Sequence, residues 1–193
     1  MKSLSVEKIQ CMPFELLLDQ KQIAKRIDEL GKQITEDYAG LTPVLVGVLK
    51  GCVVFLADLM RKIKLPMELE FVSAASYRRG TKRDENVVLN GTTRLPLKGR
   101  HVLVVEGVVD SGKTVTAILK EISKLEPASV EVVTLIDKPG SHRKKMNIKY
   151  KGFSIGNDFV IGFGLDNTQK YRNLPFIGRV IEPQERSFLS DNE

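Results

Sequence analysis

The sequence has no tryptophan, only two cysteines, and 6% aromatic residues. Each shortage excludes something. Cys11 and Cys52 are too few to staple a secreted scaffold, and neither lies beside a second cysteine or a histidine at metal-ligand spacing. The thiols read as reduced, and no zinc site is expected. No stretch reaches the roughly 18 to 20 apolar residues of a membrane span; the longest apolar runs are short, such as Val102–Val105. Met1–Gln10 carries charges with no continuous apolar stretch behind them, so a secretory signal is not expected and the compartment expected is the cytoplasm. Internal repeats, low-complexity tracts and Pro/Gly/Ser linkers are missing too. A length of 193 residues therefore suits one domain spanning 1–193.

What is present is globular in character. Apolar residues make up 42% and charged residues 28%, which supplies ample Val, Ile, Leu and Phe for a core and excludes global disorder. The net charge of +6 fits either a solvated surface or an anionic partner. The local basic clusters are Tyr77–Arg83 and His142–Lys145. Neither is interleaved with aromatics as a nucleic-acid platform is, so a small anion is favoured over a polymer, and no nucleic-acid or membrane partner is expected.

Helix and strand patterns alternate along the chain. Asp19 can cap a helix whose apolar positions are Ile23, Ile27, Leu30, Ile34 and Tyr38, with Gly40 and Pro43 beyond its end. Val44–Leu49 reads as a buried strand, Cys52–Lys62 as a helix, and Met67–Val72 as a second strand. Residues 75–90 are charged or Gly/Asn-rich with no period and read as a mobile loop, which at that length is usually functional. His101–Glu106 and Val130–Ile136 read as strands around a helix marked by Val115, Ile118, Leu119, Ile122 and Leu125; Phe159–Leu165 and Ile177–Ile181 read as two more strands. This order implies β-α-β units and a mainly parallel sheet flanked by helices. Ligands of such sheets bind where strands lead into helices, here after Leu49, Glu106, Ile136 and Leu165. His101 precedes a strand and reads as a surface residue; His142 has no evident nucleophile partner.

The most informative stretch is Val102–Thr114, VLVVEGVVDSGKT. A strand ends in Glu106, a loop adds Asp110, and Ser111, Gly112, Lys113 and Thr114 open a helix. Successive amides at a helix start form a nest for phosphate, and glycine lets the backbone come close. Two patterns compete here. Gly107 to Thr114 satisfies the P-loop pattern G-x-x-x-x-G-K-[ST], and Val132–Asp137 would then be the strand carrying a metal-binding acid. The same stretch is similar to the phosphoribosyl diphosphate (PRPP) motif, departing from it only at Gly107, where an acid is usual.

The rest of the chain weighs on the choice. Leu49-Lys50-Gly51 follows the first strand, Ser76-Tyr77 opens the loop, Asp137-Lys138 ends a later strand, and Phe159–Asp166 (FVIGFGLD) precedes Tyr171-Arg172-Asn173-Leu174. In this order and spacing they resemble the hypoxanthine-guanine phosphoribosyltransferase family, one of the type I phosphoribosyltransferases, over residues from about 10 to 185. The resemblance implies one α/β domain with a central parallel sheet, a small lobe from the N-terminal segment and about 165–185, and a loop closing over the site. It implies a purine-salvage pentosyltransferase that joins hypoxanthine or guanine to PRPP, giving IMP or GMP and pyrophosphate.

The roles it implies are these. Asp110 is the general base. Glu106, Asp110, Ser111, Gly112, Lys113 and Thr114 hold the ribose 5-phosphate. Lys50, Gly51 and Arg172 face the pyrophosphate, with a cis peptide before Lys50. Lys138, Phe159, Val160 and Asp166 read the purine, and a cationic donor at Lys138 disfavours adenine. Ser76 and Tyr77 belong to the closing loop. Mg²⁺ is the implied cofactor, with Asp166 and Glu106 as its carboxylates, and a homo-oligomer, dimer or tetramer, is the implied assembly. The alternatives are a non-catalytic regulator that keeps the transferase fold and, further off, a P-loop nucleotidase.

Overall fold

The structure, a computed structural model, describes residues 13–79, 82–90 and 96–181; within 74–79 and 82–90 it describes the backbone alone. Cys11 lies outside these residues.

Among the described residues nine strands and three α-helices follow one another: β1 Phe14–Leu18, α1 Gln20–Asp37, β2 Val44–Leu49, α2 Val53–Lys62, β3 Glu68–Arg79, β4 Lys82–Asn90, β5 His101–Val109, α3 Lys113–Ser123, β6 Ser129–Asp137, β7 Tyr150–Ser154, β8 Val160–Ile161 and β9 Ile177–Val180. The larger sheet has the order β4-β3-β2-β5-β6-β7. Strands β3, β2, β5, β6 and β7 run parallel, and β4 adds an antiparallel edge. A separate antiparallel sheet, β1-β9-β8, joins the N-terminal segment to the end of the described chain.

The run Val102–Val105 is continuous because β5 is covered on both faces. Leu103 and Val105 join the core that α1 and α2 cover, built on Ile23, Ile27, Leu30, Phe55 and Leu59. Val102 and Val104 join the core that α3 covers with Val115, Ile118 and Ile122. Each of these buried apolar side chains contributes about 1.5–3 kcal/mol by leaving water. Helix α1 starts as its sequence predicts: the Asp19 carboxylate accepts from the Gln22 amide at 2.8 Å, and the Gln22 side chain accepts from the Asp19 amide at 2.9 Å. Gly31, in the middle of α1, lets the backbone of Lys62 at the end of α2 come into contact, where a Cβ would collide.

Four expectations need correction. Residues 75–79 and 82–90 are strand, not irregular loop: Ala75 pairs with Val88, Ser76 with Val87 and Arg78 with Arg83, with the register shift falling at Tyr77. A ribbon at the edge of a sheet is held by its own ladder of backbone bonds, so its sequence need not show the alternation that half-burial imposes. The strand expected over Phe159–Leu165 stops at Ile161, because Gly162, Phe163 and Gly164 all take positive φ (93°, 48° and 96°) and turn the chain through a Gly162–Leu165 bridge. Strand β7 falls outside the expected strands; its pattern of one buried residue among exposed and half-buried neighbours gives a weak signal. His101 is half-buried rather than on the surface, its Nδ1 2.8 Å from the Ser129 hydroxyl and its ring edge-on to Tyr38.

Candidate active site

Two adjoining cavities, each of about 240 Å³, open at the C-terminal ends of β2, β5 and β6. One is lined by Glu106 and the whole segment Val108–Val115; the other by Lys50, Gly51, Lys138, Phe159, Val160, Asp166 and Arg172. Val108 and Asp110 line both. The sequence-expected residues thus converge, with the order of the parallel strands bringing together segments more than a hundred positions apart.

The first cavity is a helix start left open. Gly112 is the N-cap of α3, with φ 76°, and supplies no side-chain cap. The first-turn amides have no partner within the helix by construction. With the macrodipole they make a seat for an anion, flanked by Ser111 and Thr114. The P-loop reading fails on the same geometry. Its first glycine should sit in the loop, whereas Gly107 lies inside strand β5, two residues before its end.

The second cavity carries the charge. Lys138 is 5% exposed and its Nζ lies 3.5 Å from Oδ2 of Asp110. Lys138 is held by its backbone: its amide donates to the Val109 carbonyl at 2.9 Å, and its carbonyl accepts from the Ser141 amide at 2.9 Å. Asp110 itself is open, its side chain 59% exposed. Phe159 is 52% exposed at the cavity, while Val160 beside it is buried. On the far side, Arg172 donates to Oδ1 of Asp166 at 2.7 Å and to the Gly164 carbonyl at 2.8 Å. The peptide between Leu49 and Lys50 is cis.

Glu106 is electrostatically unlike the other acids. It is 8% exposed, accepts one hydrogen bond, from the Gly107 amide at 3.1 Å, and has no cation beside it among the described residues. Burial pushes its carboxyl up to about 8. Its charge in turn helps burial push the nearby Cys52 thiol up to about 12, so that this cysteine is an inert core residue. Glu106 and Asp166 line different cavities, and among the described residues no three His, Cys, Asp or Glu side chains group as a metal cage. Of Ser76 and Tyr77 only the backbone, within β3, is described.

Sequence reasoning missed two things. Gln169, at φ 69°, bridges the site: its side-chain oxygen accepts from Lys50 at 3.4 Å and from Arg172 at 3.2 Å, and its amide donates to Asp166 at 2.7 Å. His142 places Nε2 2.8 Å from the fully buried Asp137 carboxylate, which Lys151 approaches at 3.2 Å from the other side. A signal for the second existed, since Asp137 ends a buried strand and needs a cation. For Gln169 there was none.

The model of the phosphoribosyl transferase domain family matches residues 14–168. Fold and site together define the class, a phosphoribosyltransferase. Among curated relatives, the hypoxanthine phosphoribosyltransferase of Escherichia coli strain K12 is 40% identical over 86% of this chain and 95% of its own. The hypoxanthine-guanine phosphoribosyltransferase of Lactococcus lactis is 39% identical over 88% and 92%. A solved hypoxanthine-guanine phosphoribosyltransferase of Bacillus anthracis superposes with a TM-score of 0.83 at 36% identity, covering 89% of this chain and all of that one. The chain belongs to the hypoxanthine-guanine phosphoribosyltransferase family. Among the described residues no helix is long and apolar enough to cross a membrane.

Proposed function

We propose that the protein salvages purines: it joins hypoxanthine or guanine to the ribose of PRPP, forming IMP or GMP and releasing pyrophosphate. The observation that carries this reading is the pair formed by buried Lys138 and open Asp110 across the boundary of the two cavities. One holds a ribose 5-phosphate against the bare start of α3. The other takes a planar base between Phe159 and the Val160 backbone.

The reaction breaks the bond from the anomeric carbon to the diphosphate oxygen, and the electron pair leaves with the diphosphate. A bond forms from the imidazole-ring nitrogen of the base, whose proton passes to the Asp110 carboxylate. The ribose carries positive charge at the transition state, as in glycoside hydrolysis. Ser111, Gly112, Lys113 and Thr114 seat the 5-phosphate, and Glu106 faces the ribose hydroxyls. Lys50, Gly51 and Arg172 face the diphosphate, Arg172 with a fork of donors suited to phosphate oxygens. Lys138 donates to the 6-oxo group of the base. The 6-amino group of adenine presents donors there, and a donor facing a buried cation is left unpaired, a mismatch that polar sites reject strongly.

The acids present suit Mg²⁺ that arrives on the diphosphate. Glu106 and Asp166 are hard oxygen donors too few for a closed protein cage, the sparse set this ion takes when substrate phosphates complete its shell. Bound there, Mg²⁺ supplies charge neutralisation for the departing diphosphate. Asp166 must share its carboxylate with Arg172 and the Gln169 amide. In the same reading the chain works as one domain, in the cytoplasm, as a dimer or tetramer. A solved relative from Trypanosoma cruzi, 34% identical, was studied for the effect of its C-terminal region on oligomeric state and activity.

Pyrophosphate release from PRPP and Mg²⁺ tests the proposal, with hypoxanthine, guanine, xanthine and adenine in parallel. Turnover with 6-oxopurines and none with adenine is expected. Folded protein silent with all four bases would overturn the catalytic reading in favour of the regulator.

A further inference from the structure

Gly107 is where the sequence departs from the PRPP motif, and its surroundings differ from those of a simple loss. The carbonyl oxygen of Gly51 lies between two glycines of distant segments. A Cβ built on Gly107 stands 2.6 Å from that oxygen, 2.8 Å from the Gly51 carbonyl carbon and 3.1 Å from Cδ2 of Leu165. A Cβ built on Gly164 also stands 2.6 Å from the same oxygen. Both obstacles are backbone rather than the end of a flexible side chain. At Gly51 itself a Cβ meets only Leu165, at 3.6 Å. The crowding therefore concerns the carbonyl of the Lys50–Gly51 segment. Gly164 is further tied to the site, since its carbonyl accepts from Arg172.

We infer that Gly107 is a positioning residue for the Lys50–Gly51 segment, whose carbonyl occupies the space where a side chain at 107 would begin. This rests on the proposed assignment of that segment to the diphosphate. The absent acid is thus not a vacancy that an acid could refill. Any side chain at 107 shifts the Gly51 peptide, and with it the diphosphate half of the site, while the phosphate seat at Ser111–Thr114 stays in place, as do Lys138 and Phe159 elsewhere in the cavity that Gly51 also lines. Glu106 is left as the single carboxylate at the ribose end of β5.

The test compares wild type, Gly107→Ala and Gly107→Asp in KM for PRPP, kcat, dissociation constants for pyrophosphate and for IMP, and melting temperature. For Gly107→Ala, KM for PRPP and the pyrophosphate constant rise by about tenfold or more, while IMP, which has no diphosphate, binds within about twofold of wild type. Gly107→Asp does no better than Gly107→Ala, because both add the same Cβ. Three results overturn the inference: Gly107→Asp binding PRPP more tightly than wild type, Gly107→Ala binding pyrophosphate as wild type does, or Gly107→Ala losing IMP and pyrophosphate together, including through loss of fold. Should wild type release no pyrophosphate with any base, the enzymatic reading fails, and the two dissociation constants still decide the role of Gly107.

Discussion

Two aspartates stand just ahead of helices in this molecule and do opposite things. Asp19 turns its carboxylate onto the Gln22 amide and closes the start of α1. Asp110, three residues before α3, caps nothing; its carboxylate is open and faces Lys138, and the start of α3 is left to Gly112. The same division runs through the fold. Helix α1, which packs on the core away from the site, is closed by its own side chains. Helices α2 and α3 follow the two loops that line the cavities, and neither has a side-chain cap. A cap is worth about 0.5–2 kcal/mol, so leaving a helix start bare costs stability. At α3 that cost keeps amides available for a ligand.

The largest effect is expected at Asp110. Replacement by Asn keeps the shape and removes the base, and should lower kcat about 10²–10⁴-fold, read by single-turnover assay. Next is Gly112→Asp, which gives α3 the cap that α1 has. It fills the phosphate seat with a carboxylate, and a side chain at φ 76° also meets Met146. A loss of about 10²-fold in kcat/KM for PRPP is expected, with no gain in melting temperature.

Glu106 gives a pH prediction. Its carboxyl is raised from 4.5 to about 8, so the folded protein holds a proton that the unfolded chain has released. Stability then falls as pH rises from about 4.5, and the loss is complete above about 8. Glu106→Gln, uncharged throughout, should unfold at higher denaturant than wild type at pH 9, by a few kcal/mol at most, and match it at pH 5. Its affinity for PRPP should drop. The smallest effect belongs to the capped helix: Asp19→Ala should cost about 1 kcal/mol of stability and leave kcat and KM unchanged. A fall in turnover for Asp19→Ala would undo the division between the two helix starts.

Much of this was legible in the residues. Spacing placed α1 to its cap, and the Val-rich runs marked the strands buried on both faces, because burial leaves an apolar record in sequence. The site was legible wherever a motif carries its chemistry locally, as in Val102–Thr114. The β3–β4 ribbon was not, since backbone pairing rather than apolar alternation holds it. The Gly162–Leu165 turn was hidden because a strand pattern looks the same whether or not its glycines take positive φ. Gln169 was hidden because its partners, Lys50 and Arg172, are set by tertiary packing; for His142 the readable signal was Asp137, a buried strand-end acid in need of a cation. The local motif was ambiguous at one point: Gly107 completes a P-loop pattern by letter, yet lies within a strand.

In the proposed reaction the 5-phosphate sits on the uncapped start of α3. Amide chemical shifts of ¹⁵N-labelled protein titrated with IMP test it most directly. Large, saturable shifts of the Ser111, Gly112, Lys113 and Thr114 amides are expected, with those of Lys21, Gln22 and Ile23 at the capped start of α1 unmoved. Saturable binding of IMP that leaves the Ser111–Thr114 amides in place would contradict it.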